Sequence, residues 1–174
     1  MKLSDATRAA IELERKGYDV YMSAAERTKN KLGSETLKAI AAKEIDHIKA
    51  IEEFVKAMND KSPDYARAIE TIHQKDRKDY VRTIIDGLGK KLDAQVKPDS
   101  DLEKAYKVAM DLETESYEFY KKLAAESEQP EARKFFEFLM GEETNHFELL
   151  QETLQYLNNP DEWFKEKEKW IVEG

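Results

Sequence analysis

Apolar positions recur at three- and four-residue steps along most of this chain, the spacing that lines one face of an α-helix. The first stripe, Ala10, Glu14, Tyr18, Tyr21 and Ala25, predicts a helix from about Ser4 to Lys29. Lys31-Leu32-Gly33-Ser34 reads as a turn, with Gly33 just past the first helix and Ser34 capping the second. The second stripe, Leu37, Ile40, Ala41, Glu44, His47, Ile48, Ile51 and Val55, carries a helix to about Met58, where Asn59-Asp60-Lys61-Ser62-Pro63 breaks it. Ser100-Asp101-Leu102-Glu103 has the form of a capping box and opens a third helix, striped by Leu102, Tyr106, Ala109, Glu113, Tyr117, Tyr120 and Ala124. Pro130 suits the first position of a fourth, which carries Phe136, Leu139, Glu143, His146, Leu150, Leu154 and Leu157 and stops at Asn158-Asn159-Pro160.

These elements predict an all-α protein: one domain over residues 1–174, built from two helical hairpins at about 4–57 and 100–157. The crossover between them, about 58–99, contains its own helix, suggested by Tyr65, Ile69, Ile72, Ile84 and Leu88 and ending near Gly87 and Gly89. A tail over 158–174 forms a short amphipathic helix anchored by Trp163, Phe164, Trp170 and Ile171.

Four of the stripe positions break the apolar pattern with glutamate, and they break it twice in the same way. Glu44-Ile45-Asp46-His47 and Glu143-Thr144-Asn145-His146 repeat a Glu-x-x-His spacing, and each is preceded by a glutamate 30 residues earlier, Glu14 and Glu113. The offset between the two sets is 99 residues at every member, and Tyr18 and Tyr21 recur as Tyr117 and Tyr120. A single Glu-x-x-His is ordinarily an exposed pair on a charged helix. Glu70-Thr71-Ile72-His73 has the spacing without a partner glutamate, and His73 reads as a residue of the crossover helix. The duplicated set differs because its geometry converges. In an antiparallel hairpin, residues equidistant from the turn face each other. Both glutamate pairs lie about 22 Å from their turns, at roughly 1.5 Å rise per residue. The i, i+3 spacing puts Glu and His on one helix face. Two such hairpins packed together bring Glu14, Glu44, His47, Glu113, Glu143 and His146 to one level. Ionised carboxylates among Leu, Ile, Ala and Tyr each cost several kcal/mol unless compensated. Two divalent cations would balance the four negative charges, and an oxygen- and nitrogen-only ligand set suits iron or manganese, with zinc possible. The tyrosines read either as hydrogen-bond donors to the ligating carboxylates or as amphipathic core fillers.

Composition narrows the remainder. The formal charge of −8 argues against a nucleic-acid surface, which needs clustered Lys and Arg. With no cysteine, the chain has no disulfide, zinc ribbon or cysteine-ligated iron centre. No apolar run approaches membrane-spanning length, and Met1-Lys2-Leu3-Ser4-Asp5 lacks a signal-type apolar region, so no membrane partner and a cytoplasmic location are expected.

The ligand constellation resembles the di-iron carboxylate proteins of the ferritin-like superfamily, most closely the rubrerythrin-like branch, and the resemblance covers both hairpins. It implies a ferritin-like antiparallel four-helix bundle holding two Fe ions, one on Glu14, Glu44 and His47 and the other on Glu113, Glu143 and His146. By the same resemblance Glu44 and Glu143 bridge the metals and carry the catalysis, while Glu14 and Glu113 are terminal. It further implies a homodimer and a di-iron oxidoreductase that oxidises Fe(II) with peroxide or dioxygen and is re-reduced by an external electron donor. The chain departs from the family in two respects: it lacks the cysteines of a rubredoxin domain, and Ser116 stands where rubrerythrins carry a further carboxylate about a turn beyond the third-helix ligand. Bacterioferritins share the six-ligand pattern, but Ile45 occupies the place of their haem-binding methionine. Two other functions remain open on the residues alone: a non-catalytic protein that buffers iron, manganese or zinc, and a plain interaction bundle.

Overall fold

The computed structural model describes residues 3–60, 100–160 and 162. These form four helices: α1 (Leu3–Arg27), α2 (Lys31–Asn59), α3 (Ser100–Glu126) and α4 (Pro130–Asn158). The fold is an all-α, ferritin-like four-helix bundle. α1 packs along α2 and α3 along α4, and the two hairpins meet through α2 with α4 and α1 with α3. The crossover helix, His73 and the apolar anchors of the tail lie outside the described residues. No helix among the described residues is long and apolar enough to cross a membrane.

Local chemistry accounts for three of the helix starts. Gln129 takes an extended conformation and Pro130 follows at the first helical position, where its missing N–H costs nothing. Asp101 and Glu103 place negative charge in the first turn of α3, favourable to the helix dipole. The first turn corrects the expectation drawn from sequence. α2 starts four residues early, because Asn30 rather than Ser34 is its N-cap: the Asn30 Oδ1 accepts from the Gly33 N–H at 2.9 Å. Ser34 instead donates from Oγ to the Ala25 carbonyl at 2.9 Å, tying the end of α1 to the start of α2. Gly33 is therefore not a helix terminator. It lies inside the first turn of α2, where a Cβ would sit 3.0 Å from both methyls of Leu102, so its lack of a side chain lets α3 approach.

Two apolar layers fill the bundle, one toward each end. The first gathers Leu32, Leu37, Ile40 and Ala41 from the start of α2 with Leu102, Tyr106 and Ala109 from the start of α3 and Leu150 and Leu157 from the end of α4. The second joins Ala6 and Ala10 from the start of α1 to Ile51 and Phe54 from the end of α2, Leu123 from the end of α3, and Phe135, Phe136 and Leu139 from the start of α4. This sorting makes every packed neighbour antiparallel. It also sets the two tight turns at opposite ends, so the chain leaves α2 at one end of the bundle and enters α3 at the other. A long connection is the consequence. Between the two layers lies a level of buried polar groups.

Candidate metal centre

The six residues singled out by the duplicated pattern meet at that level. Glu14 comes from α1, Glu44 and His47 from α2, Glu113 from α3, and Glu143 and His146 from α4, and none is more than 5% exposed. The imidazoles of His47 and His146 stack face to face, 5.1 Å apart and 13° from parallel. Each presents Nδ1 to three carboxylates. His47 Nδ1 lies 3.3 Å from Glu14, 3.4 Å from Glu44 and 3.7 Å from Glu143. His146 Nδ1 lies 3.2 Å from Glu44, 3.5 Å from Glu113 and 3.7 Å from Glu143. Two overlapping ligand groups result, Glu14–Glu44–His47–Glu143 and Glu44–Glu113–Glu143–His146, each with its donor atoms within 4.8 Å of one another. Glu44 and Glu143 belong to both.

The tyrosines divide. Tyr21 of α1 donates to Glu113 of α3 at 2.5 Å, and Tyr120 of α3 donates to Glu14 of α1. The duplication thus crosses over: each hairpin's tyrosine holds the other hairpin's leading glutamate. Tyr18 and Tyr117 take no part, for among the described residues neither hydrogen-bonds to the cluster. Both are half-buried one turn away, Tyr18 packed on the first apolar layer and Tyr117 under the Lys121 ammonium at 5.5 Å. Among the residues between the ligands, Asp46 turns outward to Lys49 at 3.2 Å, and Asn145 donates to the Gly141 carbonyl. Ser116 is buried, and Glu115 points outward toward Lys16.

Concentrating four buried carboxyls at one level has the electrostatic result expected of it. Burial, reinforced by the neighbouring Glu44, pushes Glu14 up to about 8. Burial and the charges of Glu14, Glu44 and Glu113 hold Glu143 well above the usual carboxylate range against the pull of His146. At Glu44 burial also opposes ionisation, but hydrogen bonding to Glu14 and the two imidazoles outweighs it and lowers the pKa. His47 moves the other way from a buried imidazole: burial disfavours its charge, yet Glu14 and Glu44 raise it to about 10. Burial next to Glu113 and Glu14 keeps Tyr21 and Tyr120 protonated, as donors must be.

Protons alone leave this cluster incompletely matched. Glu113 Oε2, Glu143 Oε1 and His146 Nδ1 are buried without a hydrogen-bond partner among the described residues, and all belong to the inward-facing donor set. A buried acceptor left unpaired costs about 1–3 kcal/mol. Oxygen and imidazole donors converging on one point are what a divalent first-row metal takes, so the residues fit the ions that the sequence implied.

Sequence reasoning overlooked Glu142. It is as deeply buried as the ligands, and its Oε2 stands 3.6 Å from Nε2 of His47, behind the ring. The signal was present: Glu142 lies three residues after Leu139 and four before His146, on the edge of the same stripe.

A helical bundle with glutamates and Glu-x-x-His pairs projecting into its core in this way defines the ferritin-like di-metal carboxylate class. The family model for rubrerythrin matches residues 5–154, and the chain belongs to the rubrerythrin family. Comparison with curated proteins and with solved structures finds no match.

Proposed function

We propose that the protein is a di-iron oxidoreductase that reduces peroxide or dioxygen at the expense of Fe(II) and is then re-reduced by an external donor. The observation that carries this reading is the pair of overlapping ligand groups sharing Glu44 and Glu143. Two carboxylates common to both groups suit bridging positions, with Glu14 and Glu113 terminal and one imidazole for each ion. When bound, a pair of iron ions supplies two electrons and Lewis-acid polarisation of an O–O bond. The protein's part is to hold the ligands in place and keep water out. Tyr21 and Tyr120 fix Glu113 and Glu14 from across the bundle, and the apolar layers above and below exclude bulk solvent. These 174 residues hold no cysteine and so no rubredoxin-type iron, and the proposal takes the electrons from an external donor. A homodimer in the cytoplasm completes the proposal.

The test is anaerobic loading with two equivalents of Fe(II), followed by hydrogen peroxide. The expected result is rapid, stoichiometric oxidation with the visible absorption of a coupled diferric pair, repeated after each re-reduction. Ser116, in place of a further carboxylate, favours one alternative, a centre that holds metal without turning over. Uptake of two metals with no oxidation by peroxide or dioxygen would establish that alternative and end the enzymatic reading.

A further inference from the structure

We infer that the two halves of the centre are unequal, with Glu142 making the His47 half the tighter metal position and leaving the His146 half as the exchangeable one. The inference rests on the di-metal reading above and concerns which ion is held more firmly.

The two halves match almost everywhere they touch the cluster. Adding 99 to the number of each ligand in the first hairpin gives its counterpart in the second, and Tyr21 becomes Tyr120. The inward-facing distances agree as well: each Nδ1 meets three carboxylates between 3.2 and 3.7 Å. Behind the rings the match ends. Nε2 of His47 faces the buried Glu142 carboxylate at 3.6 Å, at ion-pair range. In the duplicated register 142 corresponds to 43, and residue 43 is lysine. An ammonium donates three hydrogen bonds and accepts none, so Lys43 has nothing to offer an imidazole N–H. Nε2 of both rings is buried without a hydrogen bond among the described residues, and there only Nε2 of His47 has a carboxylate within ion-pair range.

An imidazole binds metal through one nitrogen while the other carries the proton. A carboxylate behind the ring selects the tautomer with hydrogen on Nε2, aims the Nδ1 lone pair inward and makes it a better donor. His47 has such a carboxylate. His146 has none among the described residues, which leave its buried Nε2–H unmatched whenever Nδ1 binds metal. Glu142 is thus a positioning residue: it acts on the metal through His47. Partners of this kind change metal affinity by about 10–100-fold.

Calorimetric titration of the metal-free, full-length protein with Zn(II) tests the inference, paired with a crystal structure at one equivalent using anomalous scattering. Two resolved binding steps are expected, differing by about 10-fold or more, with the first ion beside His47. Glu142→Gln keeps the shape of the side chain and weakens the first step toward the second without moving the second. Lys43→Glu, at a half-buried position, supplies an acceptor in the second half and strengthens the second step. Equal steps, a first ion beside His146, or equal weakening of both steps in Glu142→Gln overturns the inequality and leaves the di-metal reading intact. A protein that takes up no Zn(II), Mn(II) or Fe(II) overturns both.

Discussion

The two hairpins descend from one pattern, and comparing them separates what the centre requires from what the bundle tolerates. At the cluster, the register of 99 residues is kept at all six acidic and histidine positions and at both bonding tyrosines. Away from it the register decays. Phe54 of α2 stacks on Phe135 of α4 at 4.2 Å with rings 3° from parallel. Their register mates are Thr153 and Thr36, which face each other at the opposite end through hydroxyls 3.4 Å apart. One end of the α2–α4 interface is thus a pair of aromatic rings and the other a pair of small polar groups. The Tyr106 hydroxyl, donating to the Gly33 carbonyl at 3.0 Å, adds a further polar tie at the threonine end. Ligand geometry permits no drift, whereas a core layer need only be filled.

Four experiments would break or sharpen this comparison. The largest effect is expected from the centre itself. Chelation should lower stability by roughly 5–8 kcal/mol at metal concentrations of 100–1,000 times each Kd, the sum of two binding terms. The metal-free protein should also become less stable as pH rises. Glu14, with its pKa raised from 4.5 to about 8, keeps a proton that the unfolded chain has released, so stability falls across that window. His47, raised from 6.5 to about 10, contributes fully below 6.5 and loses its contribution as pH approaches 10. Glu44, held low, acts in the opposite sense only below 4.5. Melting temperatures from pH 5 to 10 should therefore decline for metal-free protein and hold or rise for the metal-loaded form, because the cation replaces those protons. A metal-free form that is steadily stabilised over this range would contradict the account.

Next in size is the contrast between the ends. Phe54→Ala should cost about 3–5 kcal/mol in urea unfolding. Thr36→Ala at the register position of Phe135 should cost about 1 kcal/mol, the usual contribution of one intramolecular hydrogen bond. Comparable losses would mean that the ends are not packed differently after all. Smaller again is the pair Tyr21→Phe and Tyr120→Phe. Each removes a hydrogen bond to a carboxylate on the other hairpin, worth about 1.5–3 kcal/mol. Because the two bonds are register mates, equal losses are expected, with the metal affinity of each variant reduced on the side of the glutamate it releases. The smallest effect is a gain. Gly141 is exposed inside α4 with open space where a Cβ would go, and its register mate is Ala42. Gly141→Ala should stabilise the protein by about 1 kcal/mol and leave metal stoichiometry at its starting value, as measured by unfolding and elemental analysis.

Much of this was legible in the order of residues. Four helices follow from the three- and four-residue periodicity, and helix ends follow from Pro130 and the Asn158-Asn159-Pro160 stop. The six acidic and histidine positions were readable because a ligand set must be charged and inward-facing at once, and that contradiction stands out in an apolar stripe. Their common level was readable too, since equal distances from two turns define it. Which residues meet between hairpins depends on how the helices rotate and pair, and no local signal encodes that. Tyr18 and Tyr21 have the same chemistry, yet only Tyr21 reaches a glutamate, and the glutamate belongs to the other hairpin. Ser34 had the chemistry of a cap, but Asn30 was in place for it. Glu142 lies beside a ligand on the edge of its stripe, but only packing set it behind His47. Local pattern therefore determined the helices and the donors they carry, because periodicity and capping act over a few residues. The partners across the bundle were decided by tertiary packing, because burial and approach depend on surfaces far apart in the chain.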